Sequence, residues 1–203
     1  MCKILVLYYS DFGHTKYLAD EVANGVSSIE GCEAVIRTLP ELSFAHEATK
    51  PNIPEAGAPY AEISDLAACD GLIFGSPTHF GHMASPLQHF FEKAVDLWIS
   101  GDLIDKPFGV FGSSASLHGG HESTLLSMAL PCLHLGMVYV GVPYSVKSLH
   151  ATKRGGGPYG ASQWSEGEAE LYPSKDETLI AQALGARVSN IAKRLKANVS
   201  HNK

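Results

Sequence analysis

Apolar residues run without a break from Ile4 to Leu7 and continue through Tyr8 and Tyr9. A strand with no alternating polar position is one covered on both faces, as in the centre of a parallel sheet. Past the turn at residues 10–13, Leu18, Val22, Val26 and Ile29 recur at spacings of four, four and three, which predicts a helix packed through one stripe. Residues 32–39 read as a second strand, and Leu72, Ile73 and Phe74 as a third that stops at Gly75-Ser76-Pro77. The prolines at 51, 54 and 59 predict a long irregular loop over residues 40–60. Ser85-Pro86-Leu87-Gln88 has the form of a helix start, with a Ser cap, Pro in the first turn and Gln three residues on; Leu87, Phe91, Ala94 and Trp98 form the apolar face of that helix. Residues 108–111 predict a fourth strand, residues 125–135 a helix kinked by Pro131, and residues 137–142 a fifth strand. An irregular stretch then reaches Pro173, where Ser174 and Glu177 form a capping box for a last helix carrying Leu179, Leu184, Val188, Ile191 and Leu195.

Strands alternating with helices at these lengths predict a three-layer α/β domain, residues 1–203, with helices on both faces of a parallel sheet. Five strands fit the flavodoxin-like order 2-1-3-4-5, in which ligands lie beyond the carboxyl ends of the strands at the point where strand order reverses. With 203 residues and 45% hydrophobic content, the chain can bury a sizeable core. No run is long enough to cross a bilayer, and Met1-Cys2-Lys3 passes straight into the first strand, so a cytoplasmic protein without a leader or membrane insertion is expected. Cys2, Cys32, Cys69 and Cys132 lie far apart with no CxxC pair, which favours buried reduced thiols over a disulfide frame or a metal site. The net charge is −6, and the cluster Lys193, Arg194 and Lys196 reads as a solvated helix face near a C-terminus, so direct nucleic-acid binding is not expected.

Function should be written in the loops after strands one, three and four. The first, Ser10-Asp11-Phe12-Gly13-His14-Thr15, puts hydroxyls and a glycine at a helix start, which suits an anion cradle of backbone amides; an ordinary capping turn is the equal alternative. It lacks both the GxGxxG and the GxxxxGK[ST] spacing, so a monophosphate fits better than a dinucleotide, and Asp11 would then have to point to solvent. The second, Ser76-Pro77-Thr78-His79-Phe80-Gly81-His82, offers aromatic and imidazole groups to a flat heterocycle, or else two solvated histidines. The third, Ser113-Ser114-Ala115-Ser116-Leu117-His118-Gly119-Gly120, is small enough for close backbone approach. No GxSxG elbow is present, which disfavours a Ser-His-Asp hydrolase.

These residues resemble the tryptophan-repressor-binding-protein-like NAD(P)H:quinone oxidoreductases, FMN proteins of flavodoxin-like fold, over nearly the full length. The resemblance is carried by Val6-Leu7-Tyr8-Tyr9-Ser10 with Gly13-His14, Gly75-Ser76-Pro77-Thr78 with Phe80-Gly81, Leu97-Trp98 with Ser100-Gly101, His118-Gly119-Gly120 with Glu122, His134 with Gly136-Met137, and Arg154-Gly155-Gly156 with Pro158-Tyr159-Gly160-Ala161. It implies that Ser10, Asp11, Phe12, Gly13, His14 and Thr15 bind the FMN phosphate and that Pro77, Thr78, His79 and Phe80 hold the isoalloxazine. Ser113, Ser114, Ala115, Ser116, Leu117, His118 and Gly119 would line the ribityl chain and ring edge. It further places His134 beside the flavin, with Phe12, Phe80 and Trp98 at the substrate pocket. Two departures stand out: Phe12 where members often have a nicotinamide-contacting tyrosine, and His79 where they often have Arg.

The activity so implied is FMN-dependent two-electron reduction of quinones by NADH or NADPH, hydride passing through flavin N5 in a ping-pong cycle. His134 would polarise the quinone oxygen or pass it a proton, or simply hydrogen-bond the flavin edge. The family also implies a homotetramer whose neighbouring subunits help close the active site, which would give residues 143–173 a role beyond a surface excursion. Trp98 reads equally as a core or interface residue. Two other readings remain open: a flavodoxin-type single-electron carrier, and a stress-linked interaction protein with residual flavin binding.

Overall fold

The computed structural model describes residues 1–42, 57–166 and 171–201, with side chains to residue 197. The elements in chain order are β1 (Cys2–Tyr8), α1 (His14–Ser27), β2 (Cys32–Thr38), α2 (Ile63–Ala68), β3 (Gly71–Pro77), α3 (Ser85–Glu92), α4 (Val95–Ser100), β4 (Pro107–Ser114), α5 (His121–His134), β5 (Val138–Tyr139), α6 (Ser148–Ala151), β6 (Ala161–Trp164) and α7 (Lys175–His201). Most of the irregular segment expected over residues 40–60 lies outside the described residues. Among the described residues, no helix is long and apolar enough to cross a membrane.

The sheet has the expected order β2-β1-β3-β4-β5, every pairing parallel. The continuous apolar reading of β1 has its reason in the two layers it separates. Leu5 and Leu7 face a core built with Leu72, Phe74, Phe108 and Val110 under α3 and α5, while Ile4, Val6 and Tyr8 face one built with Ile73 and Phe111 under α1 and α7. Helices α1 and α7 touch backbone to backbone. A Cβ on Gly25 would stand 2.0 Å from the Gln182 carbonyl oxygen, and one on Gly185 would stand 2.1 Å from that of Val22. Glycine is costly inside a helix, and this close approach is what it permits here.

The structure corrects several expectations about element boundaries. The helix expected to begin under a Ser85 cap breaks at Lys93-Ala94 into α3 and α4; Ala84 occupies the cap position, and Ser85 already belongs to the first turn. Helix α5 begins four residues before the expected Leu125, with Pro131 inside it. The fifth strand is the largest departure. β5 covers two residues and pairs only with Pro107 and Phe108, whereas the upper half of β4 pairs with β6, so Phe111 lies opposite Ala161 and Ser114 opposite Trp164. The stretch expected to be irregular up to Pro173 therefore contains α6 and β6 and contributes to the sheet. Two of the C-terminal cations also have structural partners. Lys196 Nζ meets the Asp70 carboxylate at 2.7 Å and the Met1 carbonyl at 3.0 Å, and Lys193 Nζ reaches the Glu30 carbonyl at 2.5 Å.

The capping box of the last helix does more than cap. Glu177 is fully buried, and its Oε2 accepts from the Ser174 amide at 2.7 Å. Its Oε1 accepts from the amides of Gly155 at 2.9 Å and Trp164 at 2.8 Å. One carboxylate thus joins α7, the segment before β6, and β6 itself. Replacing Glu177 with Ala strands three amide donors, each costing about 1–3 kcal/mol where water cannot reach; we expect a loss of about 3–5 kcal/mol in unfolding free energy, read by denaturant titration.

Candidate functional site

The register sets the site. Tyr8 pairs with Gly75 and Pro77 with Ser113, so the loops after β1, β3 and β4 open side by side at one end of the sheet. The strand order reverses between β1 and β3, and a doubly wound sheet has its ligand crevice there.

In the first loop, Gly13 takes a left-handed conformation (φ 94°) as the N-cap of α1, and its amide is held by Ser10 Oγ at 3.0 Å. The first turn of α1 carries no acidic side chain, which leaves the positive end of the helix and its first amides able to receive an anion. Lys16 is engaged elsewhere, with Asp20 at 3.2 Å. Thr15 is buried, and its hydroxyl lies 2.9 Å from that of Ser113, which ties the first loop to the end of β4. His14 is buried as well, and its Nε2 has no hydrogen-bond partner among the described residues. Asp11 does not point freely to solvent as expected: Oδ1 accepts the Tyr9 hydroxyl at 2.7 Å, and Oδ2 lies 3.0 Å from His79 Nε2.

The second loop is a tight hairpin. His79 and His82 exchange both backbone hydrogen bonds, at 2.9 and 3.0 Å, around Phe80 (φ 53°) and Gly81 (φ 81°). Positive φ at both central positions suits Gly or Asn and strains a Phe. That strained ring is fully exposed, and Phe12 across the crevice mouth is 70% exposed. Thr78 is fixed from below by its amide bond to the Ser113 carbonyl at 2.8 Å and by the Thr124 hydroxyl at 3.3 Å.

The third loop is shorter than expected, because Ser113 and Ser114 are the last residues of β4. Ala115, Ser116, Leu117 and His118 are exposed, while Gly119 is pinned by its amide bond to the Ser116 carbonyl at 3.0 Å. A Cβ at Gly119 would lie 2.2 Å from Ser116 Oγ and 2.4 Å from Ser114 Oγ, so a side chain there would have to displace both hydroxyls. The end of β6 and the residue after it brace this loop: the Ser165 amide donates to the Ser114 carbonyl at 2.9 Å, and Trp164 Nε1 donates to the Ala115 carbonyl at 3.2 Å. Arg154 stacks 4.8 Å over the Trp164 ring and donates to the Trp164 carbonyl at 2.7 Å. The sequence reading missed Trp164 and Ser165 because β6 is four residues long and follows a glycine-rich run; the indole beside a glycine–alanine step was the available signal. His121, the first residue of α5, is buried, and among the described residues neither ring nitrogen is in a well-formed hydrogen bond. Burial lowers its pKa, only partly offset by Glu122 and the Ser116 backbone.

Two expected site residues stand apart from the three loops. His134 ends α5, roughly 20 Å along the helix axis from its first residue at a rise of ~1.5 Å per residue. Trp98 is 60% exposed on α4, so it is no core residue, and it lines a groove with Val95, Pro131 and His134. Within one chain these two share a site with each other and not with Phe12 or Phe80.

The features around the crevice fit a flavin mononucleotide: a helix start with no side-chain cap, a buried His14 whose Nε2 has no partner among the described residues, a glycine where the third loop closes on itself, and aromatic rings at the mouth. Fold and site together define a flavodoxin-like FMN-binding protein. Residues 2–150 match the family model described as NADPH-dependent FMN reductase. The chain is 40% identical to a protein named NAD(P)H dehydrogenase (quinone) from Trichlorobacter lovleyi, over 97% of this chain and 100% of that one. It is also 40% identical to one of the same name from Geobacter sulfurreducens, over 95% and 98%. Among solved structures it resembles the flavodoxin, WrbA-like protein from Agrobacterium tumefaciens, with a TM-score of 0.67 and 28% identity over 96% of this chain and 99% of that one. A flavodoxin from the domain Archaea, 17% identical with a TM-score of 0.62, shares the fold. The chain belongs to the NADPH-dependent FMN reductase family.

Two measurements follow from this geometry. Emptying a buried Phe site costs about 3–5 kcal/mol, but Phe80→Gly removes an exposed ring and relieves αL strain of about 1–2 kcal/mol against a glycine entropy cost of about 0.4–1 kcal/mol. Its unfolding free energy should therefore match or slightly exceed that of the parent. For His121 the folded pKa is lowered from its ordinary 6.5, so its contribution to stability is full above pH 6.5 and is lost as pH falls from 6.5 towards the lowered value. The stability difference between the parent and His121→Gln should change across that window and be flat above it.

Proposed function

We propose that this chain reduces quinones by two electrons at the expense of NADH or NADPH, with FMN as its bound cofactor. The observation that carries the reading is the crevice itself: an anion-receptive helix start beneath two exposed aromatic rings, Phe12 and Phe80, at the switch point of the sheet. The names of the relatives at 40% identity support it.

Ser10, Gly13, His14 and Thr15 hold the phosphate through the amides of the first turn, the Thr15 hydroxyl and the His14 imidazole. Pro77, Thr78 and His79 line the isoalloxazine, and residues 113–119 line the ribityl chain. When bound, FMN supplies the hydride and two-electron chemistry. Phe12 and Phe80 present faces against which a nicotinamide or a quinone can stack in turn, so a single position serves both half-reactions.

His134 and Trp98 enter through assembly. The outer face of α5 exposes Leu126, Leu130 and Leu133, and α4 exposes Val95, Trp98 and Ile99 beside it. An apolar face of this kind suits burial against further copies, in a homotetramer where His134 and Trp98 of one subunit reach the flavin mouth of another. There His134 hydrogen-bonds the quinone oxygen or passes it a proton. Free thiols at Cys2, Cys32, Cys69 and Cys132 suit the reducing cytoplasm.

FMN-loaded protein mixed anaerobically with NADH or NADPH should lose its visible flavin absorbance and regain it on addition of benzoquinone; a flavin that binds and stays oxidised with both nucleotides refutes the reading. Leu130→Asp should lower the mass measured by light scattering and abolish quinone turnover while FMN remains bound. Full turnover by a monomer would remove His134 and Trp98 from the mechanism.

A further inference from the structure

The floor and the rim of the crevice are held by different chemistry. Below, Thr15 meets Ser113, and Thr78 meets Ser113 and Thr124; Thr15 and Thr124 are about 1% exposed and Ser113 is 6% exposed. At the rim, among the described residues, one side-chain hydrogen bond joins residues 10–13 to residues 78–82. It is the contact of Asp11 Oδ2 with His79 Nε2 at 3.0 Å, between side chains 28% and 46% exposed. The carboxylate accepts, so Nε2 is the donor in this contact.

Three features separate this contact from an incidental surface pair. Asp11 is oriented from inside the core, since its other oxygen takes the hydroxyl of Tyr9, a residue 8% exposed in the layer beneath α3. Burial, together with the Asp11 carboxylate, raises the pKa of that hydroxyl, so it stays protonated as the donor. Each member of the pair also directly precedes one of the two exposed rings, Asp11 before Phe12 and His79 before Phe80. Finally, Phe80 holds a backbone conformation unfavourable to its residue type, and such a conformation persists only where its surroundings fix it. The two bonds to His82 close the turn, and the bond to Asp11 anchors it across the crevice.

We propose that Tyr9, Asp11 and His79 form a clasp that sets the separation of the Phe12 and Phe80 loops, and thereby the affinity for the flat ring that stacks at the mouth. They are positioning residues whose substrate class is a planar aromatic or quinonoid ring. The inference rests on the reading of the crevice given under Proposed function. A fixed gap lowers the ordering cost of ring binding, so the clasp acts on KM more than on kcat.

The test compares Tyr9→Phe, Asp11→Ala, His79→Ala and the Asp11→Ala/His79→Ala pair as FMN-loaded full-length chains. Each alanine variant should raise the KM for benzoquinone about tenfold, equivalent to ~1.4 kcal/mol, with a much smaller fall in kcat. The double variant should also stand near tenfold and not near a hundredfold, because both changes open the same clasp. Tyr9→Phe, which keeps the core ring, should shift KM in the same direction by less. Amide hydrogen exchange should quicken at residues 79–82 in Asp11→Ala and at residues 10–13 in His79→Ala. That readout needs no turnover, so it reports on the clasp even if the protein reduces no quinone. Additive effects on KM, unchanged exchange in both loops, or an FMN affinity that falls as far as the quinone affinity would each overturn the proposal.

Discussion

Strand β1 pairs with β2 on one side and β3 on the other, and the site depends on that placement. A parallel strand covered on both faces has to release the chain at its carboxyl end, and because its two neighbours are reached by crossovers in opposite directions, the loops there diverge and leave a crevice. The register places the ends of β1, β3 and β4 level, so three loops distant in sequence share one opening. A shift of β1 by one residue would exchange Ile4, Val6 and Tyr8 with Leu5 and Leu7 between the two cores, so packing on both faces holds the register firmly.

From floor to mouth, the crevice changes from buried hydroxyl contacts to exposed rings. Thr15, Ser113, Thr78 and Thr124 lock its base without any charge, so the dipole and amides of α1 are the electrostatic feature at its floor. The mouth carries exposed aromatic surface and a strained turn. Folding gains nothing from the Phe80 ring in solvent, and its φ of 53° adds strain, so neither stabilises the fold.

The divided fifth strand connects the far edge of the sheet to this crevice. Because β5 pairs with only two residues of β4, the remainder of that strand is free to accept β6, which carries Trp164 and Ser165 up against the third loop. The segment before β6 would be poorly anchored by its own glycines. Glu177 supplies the anchor from α7, and Arg154 clamps the Trp164 ring. The Arg154-Gly155-Gly156 motif thus acts through structure: a side chain at Gly155 would strike the Ser162 carbonyl at 2.2 Å.

Local sequence carried the layer architecture, because an unbroken apolar run such as 4–7 and a stripe at every fourth residue such as Leu18, Val22 and Val26 depend on periodicity alone; the strand order came from the fit of five strands to the flavodoxin-like pattern. It also carried the three loops, since glycines, hydroxyls and aromatic residues at strand ends are local signals, and the capping box at Ser174 and Glu177 for the same reason. The burial of Glu177 was not legible, because its second and third partners lie 22 and 13 residues away. The Asp11–His79 contact spans 68 residues and exists only because β1 and β3 are neighbours, so sequence spacing placed the two in separate loops with no contact between them. Trp98 and His134 looked like members of the same pocket as Phe12. Helix α5, running down the sheet from the third loop, carries His134 away from that pocket, a separation fixed by helix rise and packing direction that no residue type records.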